Sequence, residues 1–198
     1  MQSLIIFSRY PEPGKTKTRL IPALGAEGAA KLQRRMTEDT LKEARKLLTH
    51  ETKVTIYFNG GNEQLMQTWL GKDWHYQPQG EGDLGAKMHS AFDQSFDEGS
   101  NKVVIIGIDC PDLNGELLTK AFQQLTHKDL VLGPAQDGGY YLIGLRRLIP
   151  ELLENISWGT SQVFQQTTAI ATKLNLKTAY LPVLNDLDRP EDLSEKWV

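Results

Sequence analysis

The chain has 198 residues, 24% of them charged, and a formal net charge of −3. The length suits one α/β domain spanning 1–198 with a substantial core, and so even a charge balance argues against bulk nucleic-acid or membrane-surface binding. A single cysteine, Cys110, excludes an intrachain disulfide and a paired-cysteine metal site.

No apolar run approaches the roughly 20 residues of a membrane span. The first residues, MQSLIIFSRY, hold too short an apolar run for a signal peptide and no leading basic residue, so a soluble cytoplasmic protein is expected.

The first apolar run, 3–8, reads as a buried strand and passes directly into YPEPGKTKTRL. This loop contains Gly14, Lys15 and Thr16 but is not a phosphate-binding P-loop. Arg9 stands where the first glycine of that motif belongs. Pro11 and Pro13 remove two of the backbone N–H donors on which such a loop depends. What remains is a stiff loop carrying Arg9, Lys15, Lys17 and Arg19, suited to holding a polyphosphate by side-chain charge.

Apolar positions at Ala29, Leu32, Met36, Leu41, Ala44 and Leu48 predict a helix over 26–49. A second strand follows at 53–58. The stretch QGEGDLGAKM, 79–88, then brings Gly80, Gly82 and Gly85 to a helix start, where backbone can approach a ligand and anions are favoured. Asp83 is the expected cap, with Leu84, Met88, Phe92 and Phe96 inward and Gly99 as the stop. Gln79 is a candidate for a base edge and Lys87 for a phosphate.

The strand at 102–108 exits into Asp109-Cys110-Pro111. A carboxylate after so apolar a run needs solvent, a partner or a metal. It either caps a turn or serves as a ligand for Mg²⁺ or Mn²⁺. Asn114 caps a predicted helix over 114–126. Strands at 129–134 and 140–145 are joined by the short turn AQDGG, which predicts one antiparallel component. Tyr140 and Tyr141 should face opposite ways, one toward the core and one toward a pocket.

A helix near 159–173 and a last strand at 177–183 complete the elements, leading to NDLDRPEDL. There Glu191 and Asp192 suit the first turn of a terminal helix after Pro190, and Asp188 is the better metal ligand. His50, His75, His89 and His127 show no ligand spacing. The alternation of strands and helices predicts a layered α/β domain with a largely parallel sheet, whose ligands bind beyond the strands' carboxyl ends.

Five stretches in order, YPEPGKTKTRL, QGEGDLGAKM, GIDCPDL, GPAQDGGYYLIGL and DLDRPEDL, closely resemble the small GT-A-like radical-SAM/selenodomain-associated glycosyltransferases. More distantly they resemble the 2-phospholactate and molybdenum-cofactor nucleotidyltransferases. The resemblance covers nearly the whole chain. It implies a single-domain Rossmann-like GT-A (nucleotide-diphospho-sugar transferase) fold, with a mixed, mostly parallel sheet and helices on both faces.

The same resemblance places Arg9, Gly14, Lys15, Lys17 and Arg19 around a nucleotide's phosphates, and Gln79, Gly82, Asp83, Gly85 and Lys87 on the segment facing the base. It matches Asp109 and Asp188 to the ligands of Mg²⁺ or Mn²⁺, and DGGYYLIG, with Asp137, to the acceptor side. Asp109, Lys17, Arg19 and Asp137 are then the catalytic candidates. Two departures stand out. The second aspartate of a D-x-D motif is missing after Asp109, with Asp112 one place late, and the glycine-rich first loop of sugar nucleotidyltransferases is replaced by a Pro/Lys/Arg loop.

The expected activity is metal-dependent transfer of a sugar from a nucleotide-sugar to a small acceptor. The alternatives are transfer of a nucleotidyl group from an NTP, and a nucleotide-binding module without turnover. Neither nucleic acid nor membrane is an expected partner.

Overall fold

The computed structural model describes residues 1–48, 51–194 and 197. Seven strands form one sheet: β1 (Gln2–Arg9), β2 (Thr52–Asn59), β3 (His75–Pro78), β4 (Lys102–Ile106), β5 (Leu130–Pro134), β6 (Tyr140–Leu145) and β7 (Thr178–Tyr180). Their order is β3-β2-β1-β4-β6-β5-β7. All neighbours run parallel except β6, which is antiparallel to both β4 and β5.

Five helices cover the two faces: α1 (Ile21–Arg45), α2 (Glu63–Leu70), α3 (Leu84–Asp97), α4 (Gly115–Gln124) and α5 (Val163–Lys173). Alternate residues of each strand enter opposite layers. Leu4, Ile6, Val54 and Ile106 pack with Met36 of α1 and Phe122 of α4. Ile5, Val103, Ile105 and Ile143 pack with Phe92 of α3 and Ala171 of α5. Burial on both faces is why the strands read as continuous apolar runs.

Side-chain caps set three helix starts. Asn62 Oδ1 accepts from Leu65 N at 2.9 Å, Asp83 Oδ1 from Ala86 N at 2.8 Å, and Asn114 Oδ1 from both Glu116 N and Leu117 N at 3.1 Å. Each such cap contributes about 1 kcal/mol.

Several sequence boundaries shift. A short helical turn from Ile21, with Pro22 in it, precedes the first helix and is broken from it at Gly25, whose φ of 69° no helix carries, so the regular run starts at 26 as expected. Leu48 lies past its end and is exposed. The predicted end at Thr49, and His50, fall outside the described residues. Leu84 is exposed at the first turn of α3 rather than inward. The fifth helix starts at Val163, later than 159, after a turn in which Thr160 Oγ1 donates to Ser157 O.

The last strand keeps only Thr178–Tyr180 of 177–183, since β7 lies beyond β5 at the edge and Pro182 supplies no N–H for a ladder. Among the described residues, Pro190–Asp192 is one 3₁₀ turn rather than a longer helix. No described helix is long and apolar enough to cross a membrane.

Candidate active site

A cavity of about 470 Å³ opens at the carboxyl ends of β1, β2 and β4. Strand β6 joins it by its beginning, because it runs the other way, and so brings Tyr140 and Tyr141 to the same mouth. Tyr141 packs into the core and donates its hydroxyl to Pro182 O at 3.0 Å. Tyr140 lies on the other layer, edge-on to Trp158 at 6.3 Å.

The two acidic segments meet here. Leu187 N donates to Asp109 O at 2.7 Å, joining the loop after β4 to the loop before the final 3₁₀ turn. Asp109 and Asp188 therefore line one cavity. The basic loop reaches across it: Lys17 Nζ donates to Asp109 Oδ1 at 2.7 Å and to Leu187 O, and Arg19 donates to Asp188 Oδ2 at 2.6 Å. The Lys17 side chain is only 3% exposed, whereas that of Asp109 is 51% exposed.

Lys17 holds a left-handed backbone, φ 48°, at the turn into a 3₁₀ helix over Thr18–Leu20. That conformation costs a non-glycine residue about 1 kcal/mol, which the pair of bonds at its ammonium offsets. Asp192 Oδ2 accepts from the backbone of both Asp188 and Arg189, which fixes Asp188 at the rim.

Two carboxylates lining one cavity, both hard oxygen donors, match the one or two that Mg²⁺ or Mn²⁺ takes when phosphate and water complete its shell. Both carboxylates already hold a cationic group. Among the described residues no group of three or more His, Cys, Asp or Glu side chains is arranged to hold a metal. Cys110 is buried, and its thiol is pushed up, first by burial and then by the charges of Asp109, Asp186 and Asp137, which disfavours the thiolate.

The remaining predicted residues divide. Arg9 and Gln79 line the cavity. Arg9 donates to Lys15 O at 2.7 Å and braces the loop. Gly14 (φ 79°) serves the turn, and Lys15 pairs outward with Glu12 at 2.8 Å; neither lines the cavity. Asp83 is occupied as a helix cap, and Gly82 and Lys87 also lie outside the lining.

Gly85 faces protein. A Cβ there would stand 2.1 Å from Leu153 O and 2.8 Å from Trp158 Nε1, so its missing side chain serves helix packing. Asp137 closes a turn, accepting from Gly139 N at 2.8 Å. It belongs to a neighbouring rim cavity of about 570 Å³ with Asp186 and Arg189. Burial first, and then Asp137, hold the Asp186 carboxyl above its ordinary value of 3.8.

Sequence reasoning passed over Thr16, Gln33, Asn59 and the mouth position of Leu84, all of which line the main cavity. Thr16 is 1% exposed, and its hydroxyl has no hydrogen-bond partner. Gln33 is 4% exposed within α1. A glutamine one residue after Leu32 on the apolar stripe was the available signal, since an amide there must find partners.

Residues 36–160 match the model of DUF2064, a family described as uncharacterized and conserved in bacteria. No functionally curated protein matches the chain in sequence. Among solved structures, the chain is similar to a protein from Desulfovibrio desulfuricans G20 provisionally assigned as a nucleotide-diphospho-sugar transferase. The two share 37% identity over 95% of this chain and 82% of that one, with a TM-score of 0.89.

Two more distant structures show the same fold. One is the inositol-1-phosphate CTP transferase of T. maritima, at 14% identity, 99% and 93% coverage and a TM-score of 0.62. The other is glucosyl-3-phosphoglycerate synthase of Mycobacterium tuberculosis, solved with Mn²⁺, UDP and glucosyl-3-phosphoglycerate, at 12% identity, 97% and 74% coverage and a TM-score of 0.60. The chain thus has the α/β fold of nucleotide-diphospho-sugar transferases and nucleotidyltransferases, with a mixed, mostly parallel seven-stranded sheet.

Proposed function

The chain belongs to the DUF2064 family, and on that premise we propose that it is a divalent-metal-dependent transferase that moves a sugar from a nucleotide-sugar to a small acceptor. The observation that carries this reading is the joining of Asp109 and Asp188 by the Leu187 bond, each carboxylate faced by a cation of the N-terminal loop. The 37% identical relative supports it.

Asp109 and Asp188 would hold Mg²⁺ or Mn²⁺, which when bound neutralises charge on the diphosphate and its leaving oxygen. The protein's own groups do the rest. Lys17 and Arg19 exchange their carboxylate partners for phosphate oxygens and so meet the negative charge that grows as the nucleoside diphosphate leaves. Preorganised donors of this kind contribute about 10²–10³ in rate each. Thr16, buried beside Lys17 with its hydroxyl unengaged, adds a donor at the same place. Asp137, in the neighbouring rim cavity, would serve the acceptor side, its second carboxylate oxygen orienting an acceptor hydroxyl and taking its proton.

A second reading, nucleotidyl transfer from an NTP with release of pyrophosphate, is favoured by one feature. Asp112 faces a separate cavity with Asp39 and Glu43, so Asp109 has no D-x-D companion on its own loop. Product analysis separates the readings. The protein is incubated with nucleotide-sugars and with NTPs, each with and without Mg²⁺ or Mn²⁺, and the released phosphate species is identified. Metal-dependent nucleoside diphosphate release supports glycosyl transfer, and pyrophosphate release supports the second reading. Metal-dependent nucleotide stabilisation with neither product, across an acceptor panel, would leave only a binding module.

A further inference from the structure

Among the described residues, five charged side chains line the main cavity: Arg9, Lys17, Arg19, Asp109 and Asp188. Lys17 Nζ is bonded to Asp109 Oδ1 at 2.7 Å, and Arg19 to Asp188 Oδ2 at 2.6 Å. The chain thus fills with its own cations the two carboxylates proposed above as metal ligands. The following inference rests on that reading of the two aspartates.

The two ion pairs differ in how readily they open. The Arg19 side chain is 59% exposed, so a displaced guanidinium passes into water. The Lys17 side chain is only 3% exposed. Its ammonium also donates to Leu187 O, but a buried ammonium that loses its carboxylate to a dication gains no water in exchange. A new anionic partner has to arrive for it. The diphosphate of a nucleotide is such a partner, and Lys17 lines the cavity that would receive it.

The charge balance of the lining leads to the same place. Three cations against two carboxylates leave one excess positive charge in the empty cavity. A divalent cation alone would raise that excess to three. A nucleotide-sugar, whose diphosphate carries two negative charges, would alone turn it into a single negative charge. Both together restore the balance of the empty state. Asp186 and Asp192 line the neighbouring rim cavity with Arg189 and contribute equally to all four states. The metal-only state is therefore the most unbalanced, at separations well inside a Debye length, where salt screens least.

We propose that the Lys17 and Arg19 ion pairs form an autoinhibitory plug: they bar a lone divalent cation from Asp109 and Asp188 and are released by a nucleotide's diphosphate, so that nucleotide precedes or accompanies the metal. The test is equilibrium dialysis of the full chain, with retained Mn²⁺ and nucleotide both measured. Dialysis separates protein-bound Mn²⁺ from Mn²⁺ chelated by free nucleotide. The probes are Mn²⁺ alone, each of ADP, CDP, GDP and UDP alone, and each with Mn²⁺. Mn²⁺ alone should be held about tenfold or more weakly than Mn²⁺ with the best-bound diphosphate. The same factor should appear in nucleotide binding, because coupling between two ligands is reciprocal.

Lys17→Met should tighten the binding of Mn²⁺ alone by about tenfold. Arg19→Met should tighten it less, since that guanidinium reaches water. The probe series on the unaltered protein, and Arg19→Met at an exposed position, decide the matter without a change at a buried side chain. Mn²⁺ held equally well with and without nucleotide, or held no more tightly after Lys17→Met, overturns the plug and leaves the metal site standing. No Mn²⁺ retained by any of these proteins, with or without nucleotide, overturns the metal assignment as well.

Discussion

Replacement of Asp109 by asparagine tests whether the basic loop is held to the sheet by charge. Lys17 has a side chain 3% exposed and a 2.7 Å bond to Asp109; the carboxylate is 51% exposed. Stripping the counter-charge from a fully buried ammonium costs about 3–5 kcal/mol, whereas breaking a surface pair costs about 0–1 kcal/mol. This pair lies between those limits, since water reaches Asp109, the asparagine oxygen can still accept, and the Leu187 carbonyl remains. A loss of about 1–2 kcal/mol follows. For a domain of this size that lowers Tm by about 2–8 °C.

The assay is thermal or urea unfolding in a chelator, so that no divalent ion masks the effect. In a Lys17→Met background the same asparagine change should cost less than about 0.5 kcal/mol, because the stranded ammonium is gone. An Asp109→Asn protein as stable as the parent without metal, or one equally destabilised in both backgrounds, would refute the reasoning.

Asp186 gives a pH-dependent prediction. Its carboxyl is held above the ordinary value, first by burial, so the folded state binds the proton more tightly than the unfolded one. The stability it contributes is present below the unfolded value of 3.8 and is lost as pH rises through the raised folded value. Asp186→Asn should therefore raise Tm at neutral pH, with the gain shrinking toward pH 3; a gain that does not vary with pH would contradict the assignment. Gly85→Ala should destabilise by about 1–3 kcal/mol through overpacking, since the new methyl meets the Leu153 carbonyl at 2.1 Å. Urea midpoints check this, and an unchanged midpoint would show that α3 and the 3₁₀ turn at Pro150–Leu152 shift apart without cost.

Legibility in the sequence followed how local each cause was. The central strands were readable because both of their faces are buried, whereas the edge strand β3, with only Tyr76 buried, was not placed; Asn114 and Asp83 were readable because a cap acts within three residues of itself. Asp109 and Asp188 stood out as carboxylates at strand exits. Their partners did not, since Arg19 meets Asp188 across 169 residues. Gly85 was misread because a glycine announces close approach without saying to what; here the neighbour is a carbonyl of the same chain. Gln33 was passed over for the opposite reason. A polar residue inside a helix resembles its solvated face until the sheet is laid against it, and only then do Arg9 O and Ser8 Oγ appear as its partners.

The turn between β5 and β6 has a mechanical consequence. Gln136 N donates to Leu184 O, Phe164 N donates to Gly138 O, and a side chain on Gly138 (φ 90°) would strike Ser161 O at 2.3 Å. This turn, which lines the neighbouring rim cavity, is thus held from two directions by main-chain bonds. The basic loop, residues 10–19, reaches the acidic loops through the ends of long lysine and arginine side chains. One side of the site is therefore tied down by main-chain bonds and the other by charged side-chain ends.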